Sequence, residues 1–125
     1  MADAITLTLP RASEFDGVAH LVLAGLAARL DLTLEHLEDL QIAFGALLDR
    51  GARATDDDEE ELTVRLTVHD DALEAVVGPL SPRLIEALGR DAGTELGVRR
   101  VLESTVDDVQ VDGDSVRLVK RRAHA

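Results

Sequence analysis

The stretch LEHLEDLQIAFGALLDRG, residues 34–51, organises the rest of the chain. Thr33 precedes it and can cap a first helical turn, because a threonine hydroxyl accepts a hydrogen bond from a free backbone N–H. Gly51 closes it and tolerates the left-handed backbone that ends many helices. We therefore predict a central amphipathic helix that ends at Gly51. Its buried face follows from apolar residues spaced three and four apart, which are Leu34, Leu37, Leu40, Phe44, Leu47 and Leu48.

Two elements are predicted before this helix. Residues 4–9 alternate between apolar and polar side chains, which is the spacing of a strand, and Pro10 ends it. Residues 16–30 have a helical period. Only residues 31 and 32 separate this helix from the central one, so we expect the two to pack as a helical hairpin. The predicted buried face of the first helix consists of Val18, Leu21, Val22, Leu26 and Leu30.

A β-hairpin is predicted after the central helix. Residues 62–68 alternate cleanly, with leucine and valine on one side and threonine and arginine on the other. This pattern is typical of a half-buried strand in an antiparallel sheet. Asp70 and Asp71 form the turn, and residues 73–77 return as the second strand.

The last third of the chain repeats this order of helices followed by strands. Ser81 and Pro82 have the residue types of an N-cap and a first helical position, and Gly89 is the predicted end of that short helix. A second helix is predicted from about residue 94 to 105. Residues 109–111 and 116–120 form two strands around the tight turn at residues 112–114.

The predicted order is therefore βααββααββ. Helices packed on one face of a mostly antiparallel mixed sheet form a two-layer α+β sandwich. We predict a single domain, residues 1–125, with a basic tail at residues 121–125 that is frayed.

Composition restricts the function further. The chain has no cysteine, which excludes disulfides and thiolate catalysis, and it has no apolar run long enough to cross a membrane. No secretory signal is recognisable at its start, so we predict a cytoplasmic protein. The net charge of −12 disfavours nucleic acid and anionic lipid as partners and favours a basic protein surface.

The acidic run at residues 56–61, DDDEEE, is predicted to be a solvated loop, with docking of a basic partner segment as the alternative. It lacks the spaced ligands and the glycine of a calcium-binding loop. The four histidines lie in different predicted elements, so we predict no metal site. They are His20, His36, His69 and His124.

The central segment resembles the N-box helix of the anti-sigma factor serine kinases, within the histidine-kinase-like (Bergerat, GHKL) ATPase superfamily. The family pattern runs acidic-acidic-Leu-x-Ile/Leu-Ala-Val-x-Glu-x-x-x-Asn. Ala46 stands at the position of the catalytic glutamate, and Arg50 at that of the magnesium-binding asparagine. The matching residues are Glu38, Asp39, Leu40, Ile42, Ala43 and Phe44.

The resemblance implies two further nucleotide-binding segments. An Asp-x-Gly-x-Gly loop reads adenine in the family, and here Gly78 is present without the preceding aspartate. A later glycine-rich box cradles phosphate, and GTELGV at residues 93–98 resembles it, with Gly97 on a box glycine. The nucleotide-site remnants are Arg50, Gly78, Gly93, Thr94 and Gly97.

The resemblance implies a regulatory protein-binding module, a partner-switching anti-sigma factor whose nucleotide site is degenerate. Its partner would be a sigma factor or an anti-sigma antagonist, and members of the family are usually homodimers. Two alternatives stay open: an active serine/threonine kinase that uses Mg²⁺-ATP, and a pseudokinase that binds ATP or ADP without transferring phosphate. Because Ala46 and Arg50 replace the general base and the metal ligand, the resemblance favours a protein without kinase activity and without a bound cofactor.

Overall fold

The computed structural model describes residues 3–10, 16–29, 33–53, 61–80, 82–90 and 98–121. The predicted order βααββααββ is confirmed. The elements are β1 (Asp3–Pro10), α1 (Asp16–Arg29), α2 (Leu34–Arg53), β2 (Glu61–Val68), β3 (Ala72–Gly78), α3 (Pro82–Arg90), α4 (Val98–Thr105), β4 (Asp108–Asp112) and β5 (Ser115–Arg121).

Several predictions fall outside the described residues. They concern residues 56–60 of the acidic run, the cap at Ser81, the start of the fourth helix and the tail beyond residue 121. Glu61, predicted to belong to the acidic loop, is the first residue of β2. Arg121, predicted to belong to the tail, is the last residue of β5.

The five strands form one sheet in the order β1-β2-β3-β5-β4. Each neighbouring pair is antiparallel. The last strand in the sequence, β5, therefore lies inside the sheet, and β4 and β1 lie at its edges. Gly113 turns the β4–β5 hairpin with a φ of +63°, a left-handed conformation that costs glycine little.

The helices cover one face of the sheet, and the core lies between these two layers, as predicted for an α+β sandwich. Alternate residues of β2 and β3 point into it, and α2 contributes residues from its sheet-facing side. The largest fully buried side chains are Phe44, Leu23, Leu40, Leu47, Leu62, Leu66, Leu73, Leu88, Leu102, Leu118, Val64 and Val77.

Helix α2 begins as the sequence predicts. The backbone N–H of His36 donates to Thr33 Oγ1 at 3.1 Å, so Thr33 is the N-cap. The end is different from the prediction, because α2 continues through Gly51 to Arg53. Likewise α3 continues through Gly89 to Arg90. A glycine inside a helix costs only about 1 kcal/mol relative to alanine, which is too little to end a helix by itself.

The buried face of α1 was predicted wrongly in part. Leu21 is 75% exposed and Val18 is 41% exposed, whereas Leu23, Leu26 and Ala27 are buried. Apolar residues surround α1 on all sides, so their spacing does not select the side that faces the sheet. The prediction for α2 is also wrong at its first residue, because Leu34 is 71% exposed.

No helix in the described part of the chain is long and apolar enough to cross a membrane.

Candidate functional site

The N-box positions lie on α2, which is held firmly against the sheet by Ala43, Phe44 and Leu47. Ala46 is half-buried, and its methyl group packs against this core. Arg50 lies in the last turns of α2, where the described structure gives the backbone alone. An alanine methyl can neither take up a proton nor bind a cation, so Ala46 itself cannot act as a general base.

A buried lysine connects three elements beneath α2. Lys120, on β5, is 8% exposed. Its ammonium donates to Asp39 Oδ2 on α2 at 3.2 Å and to the carbonyl oxygen of Thr105 at 2.9 Å. Thr105 ends α4, and a cation at a helix C-terminus satisfies a free carbonyl and opposes the negative end of the helix dipole.

This cluster gives a structural role to one of the acidic N-box residues. Asp39 matched the family pattern in the sequence, and the structure shows that its carboxylate is tied to the sheet through Lys120. Sequence reasoning missed the pair. The available signal was the alternation of β5, in which Lys120 follows Val116 and Leu118 on the buried face.

Gly78 is the last residue of β3 and lies opposite Ser115 on β5. A β-carbon added there would lie 3.0 Å from the Cβ and 3.1 Å from the Cα of Ser115. Because Val77 is buried beneath the helices, alternation points the side-chain position of Gly78 away from them. Close strand packing alone therefore accounts for glycine at this position.

The segment after Gly78 is fixed to the neighbouring hairpin. The Gly78–Pro79 peptide bond is cis, and the backbone N–H of Leu80 donates to the carbonyl oxygen of Asp114 at 2.7 Å. The side chain of Leu80 is buried in the core. The resemblance implies the adenine-binding loop at this point of the chain. Here the segment is fixed to the β4–β5 hairpin and carries the buried side chain of Leu80.

A polar surface cavity of about 190 Å³ lies where α4 meets β4. Three of its charged groups, Arg99, Glu103 and Asp107, have partners within the fold. Arg99 donates to Glu103 at 3.2 Å and to the carbonyl oxygen of Val109 at 3.3 Å. The carboxylate of Asp107 accepts from the backbone N–H of Arg121 at 2.6 Å, so it extends the pairing of the β5 strand. These contacts give the cavity a structural role.

The face of the sheet opposite the helices carries an ion pair. Arg117 donates to Glu74 Oε2 at 2.9 Å, and His69 Nε2 lies 3.5 Å from the same oxygen. The hydrogen bond from Arg117 is the main reason that the pKa of Glu74 is lowered, and Glu74 raises the pKa of Arg117 in turn. This pair joins β3 to β5.

The remaining predicted nucleotide-site residues, Gly93, Thr94 and Gly97, lie outside the described residues. Of the predicted set, the structure describes the position of Gly78 and the backbone of Arg50. Among the residues that it describes, no group of three or more histidine, aspartate or glutamate side chains could hold a metal ion.

An α+β sandwich in this order, with the N-box segment on α2, has the architecture that the resemblance to the histidine-kinase-like class implies. Curated sequences agree. The chain is 30% identical over 138 residues to the serine-protein kinase RsbW of Listeria monocytogenes, covering 96% of this chain and 88% of that protein. It is 28% identical over 132 residues to serine-protein kinase RsbW of Bacillus velezensis, covering 90% and 80%. The chain therefore belongs to the RsbW family, which confirms the resemblance seen in the sequence.

A solved structure is similar in fold. The RsbU and RsbW domains of Rv1364c from Mycobacterium tuberculosis superpose with a TM-score of 0.67 at 11% identity. The match covers 98% of this chain and 34% of that longer chain. Comparison with models of protein families finds no match.

Proposed function

We propose that this protein is a regulatory protein-binding module, an anti-sigma factor of the partner-switching type that no longer transfers phosphate. Membership of the RsbW family supports the regulatory role. The observation that carries the loss of transfer is Ala46. Its side chain is a methyl group packed against the core at the position where the resemblance requires a base.

The proposed partner is a sigma factor or an anti-sigma antagonist. The net charge of −12 supports a basic surface on that partner, because complementary charge speeds association and disfavours wrong partners. We also propose that the protein forms a homodimer, as the resemblance implies.

The N-box does not fit a magnesium ion. Magnesium takes oxygen ligands in near-octahedral geometry. Ala46 offers no oxygen and Arg50 carries a cation without an acceptor. The misfit of magnesium does not decide whether the protein binds nucleotide without metal. The proposed remnants of the nucleotide site are Arg50, Gly78, Gly93, Thr94 and Gly97.

The second candidate function is a serine kinase, or a pseudokinase that binds ATP. The relatives favour it, because they are named serine-protein kinases. Phosphoryl transfer relies on positioning of the phosphate and on metal and charge stabilisation, so the substitutions at Ala46 and Arg50 oppose an active kinase.

Two measurements separate these functions. Purified protein is titrated calorimetrically with ADP and ATP, with and without Mg²⁺, and is then incubated with labelled ATP and a purified antagonist. We expect no labelled antagonist, and any binding of nucleotide to be independent of Mg²⁺. Arg50→Ala is the matched variant, and it should abolish such binding if the guanidinium holds phosphate. Transfer of label to the antagonist by the unmodified protein would overturn the proposal.

A further inference from the structure

The outer face of α1 is apolar and exposed. Leu21 is 75% exposed and Val18 is 41% exposed, and Gly25 and Ala28 complete the same face. The buried residues of α1 point to the opposite side, toward the sheet. Exposed apolar side chains that share one face mark an interaction surface more often than isolated ones do.

The outer face of α2 carries an apolar residue and acidic residues together. Ile42 is 53% exposed, and Glu35 and Glu38 are exposed on the same side. Their spacings, four residues from Glu38 to Ile42 and seven from Glu35 to Ile42, place the three in one row along the helix. This row lies opposite the buried residues Leu40 and Phe44.

The two exposed faces are neighbours. Helices α1 and α2 pack against each other and are joined by four residues, so they run antiparallel. Leu21 lies eight residues before the end of α1 at Arg29, and Ile42 lies eight residues after the start of α2 at Leu34. At 1.5 Å per residue both are about 12 Å from the connection, on axes separated by about 8 to 10 Å.

We propose that these residues form a docking surface for a basic amphipathic helix of a protein partner. We call it the helix-layer patch and define it by Val18, Leu21 and Ile42, with Glu35 and Glu38 along its α2 side. The proposal rests on the proposed function, because it names the surface on which a regulatory partner binds. The apolar side chains provide contact area, and the two carboxylates select lysine and arginine on the bound helix.

Charge favours a basic helix over a second copy of the chain as the molecule that binds the patch. Each copy carries a net charge of −12, and a symmetric pairing through the patch brings two sets of Glu35 and Glu38 together. Like charges face to face cost free energy, whereas a basic helix gains from the same carboxylates. Arg29 lies at the connection end of α1, about 12 Å along the axis from Leu21, so it leaves the centre of the patch uncovered.

The probe is a fluorescein-labelled peptide of about 18 residues, roughly five helical turns, with leucines on one face and lysine and arginine elsewhere. One control peptide has the same composition in an order without an apolar face. A second has glutamate in place of every basic residue. Binding to the full chain is followed by fluorescence anisotropy. We expect the basic amphipathic peptide to bind at least tenfold more tightly than either control.

Variants of the protein locate the binding. The double variant Leu21→Ser/Ile42→Ser should weaken binding of the basic peptide at least tenfold. Glu35→Gln/Glu38→Gln should weaken it and reduce its salt dependence, measured between about 0.1 and 1 M NaCl, where the Debye length falls from about 10 to 3 Å. Val111→Ser is the matched control, because Val111 is 37% exposed on the edge strand β4, away from the patch. It should leave binding unchanged.

Four results would overturn the helix-layer patch, and the fourth concerns a sigma factor. One is equal binding of the peptide that lacks an apolar face. Another is equal binding by the Leu21→Ser/Ile42→Ser variant, confirmed to be folded by circular dichroism. The third is a dimer in sedimentation that this variant dissociates, since the patch would then be covered by a second copy. A sigma factor that binds the protein and this variant equally well would reject the patch and leave the proposed function standing. Peptide binding at the patch with no binding of any sigma factor or antagonist would reject the proposed function alone.

Discussion

Replacing Lys120 with methionine tests whether the buried ammonium holds α2 and α4 to the sheet. Methionine keeps an unbranched apolar side chain of similar length, so Lys120→Met removes the charge and changes packing little. The Thr105 carbonyl oxygen and the Asp39 carboxylate each lose a donor.

The size of the effect follows from burial. Loss of a partner by a buried carbonyl costs about 1 to 3 kcal/mol. The Asp39 side chain is 30% exposed, so water replaces part of its lost contact, and we count about 1 kcal/mol or less for it. We therefore expect Lys120→Met to lower the free energy of unfolding by about 2 kcal/mol, which for a domain of this size lowers Tm by roughly 6 to 10 °C.

Urea denaturation followed by far-ultraviolet circular dichroism measures this change, because the chain has neither tryptophan nor tyrosine to report by fluorescence. A double-mutant cycle with Asp39→Leu isolates the pair, and the double variant should be about 1 kcal/mol more stable than additivity predicts. Arg117→Met is the control, since it breaks an ion pair on the more exposed face of the sheet and should cost less than about 1 kcal/mol. Additivity within about 0.5 kcal/mol would refute the reasoning that Lys120 and Asp39 stabilise the fold together.

Three further predictions use the same denaturation assay. Gly78→Ala should lower the free energy of unfolding by about 1 to 3 kcal/mol, because the new β-carbon meets the neighbouring strand. Gly45→Ala, where a β-carbon meets nothing within 4 Å, should stabilise α2 by up to about 1 kcal/mol. Equal effects of the two variants would contradict the close packing at Gly78. Thr33→Ala should cost about 1 kcal/mol through loss of the N-cap, and an unchanged midpoint would argue against that hydrogen bond. Because Arg117 lowers the pKa of Glu74, the pair adds stability above the ordinary pKa of 4.5, and this contribution is lost as the pH falls through the lower folded value. Glu74→Gln should therefore flatten the stability profile below about pH 5, and an unaltered profile would exclude this contribution.

The strands and the order of elements were predictable because alternation in residues 62–68 and 73–77 is strong and the turns between elements are short. The orientation of α1 was not, because a helix that is apolar on every side has no preferred buried face until the sheet is present. The ends of α2 and α3 were misplaced because continued backbone hydrogen bonding outweighs the cost of one glycine.

The candidate site was only partly predictable. The N-box pattern identified Ala46 as a site position from the sequence, because a motif fixes the spacing of residues along one helix. The contact of Lys120 with Asp39 joins residues 81 positions apart, and no local pattern specifies which carboxylate a buried lysine meets. A lysine in register with the buried valine and leucine of β5 was the available clue.

The position of β5 in the sheet has a consequence for synthesis of the protein on the ribosome. β5 is inserted between β3 and β4, so β4 has no neighbour in the sheet until residues 115–121 have emerged. The same seven residues carry the lysine that anchors α2 and α4. A nascent chain that stops short of them can form the β1–β2–β3 part of the sheet but exposes one long strand edge and much of the core. Completion of the fold must therefore follow translation of this strand, and until then the growing chain presents an open edge to chaperones and to other nascent chains.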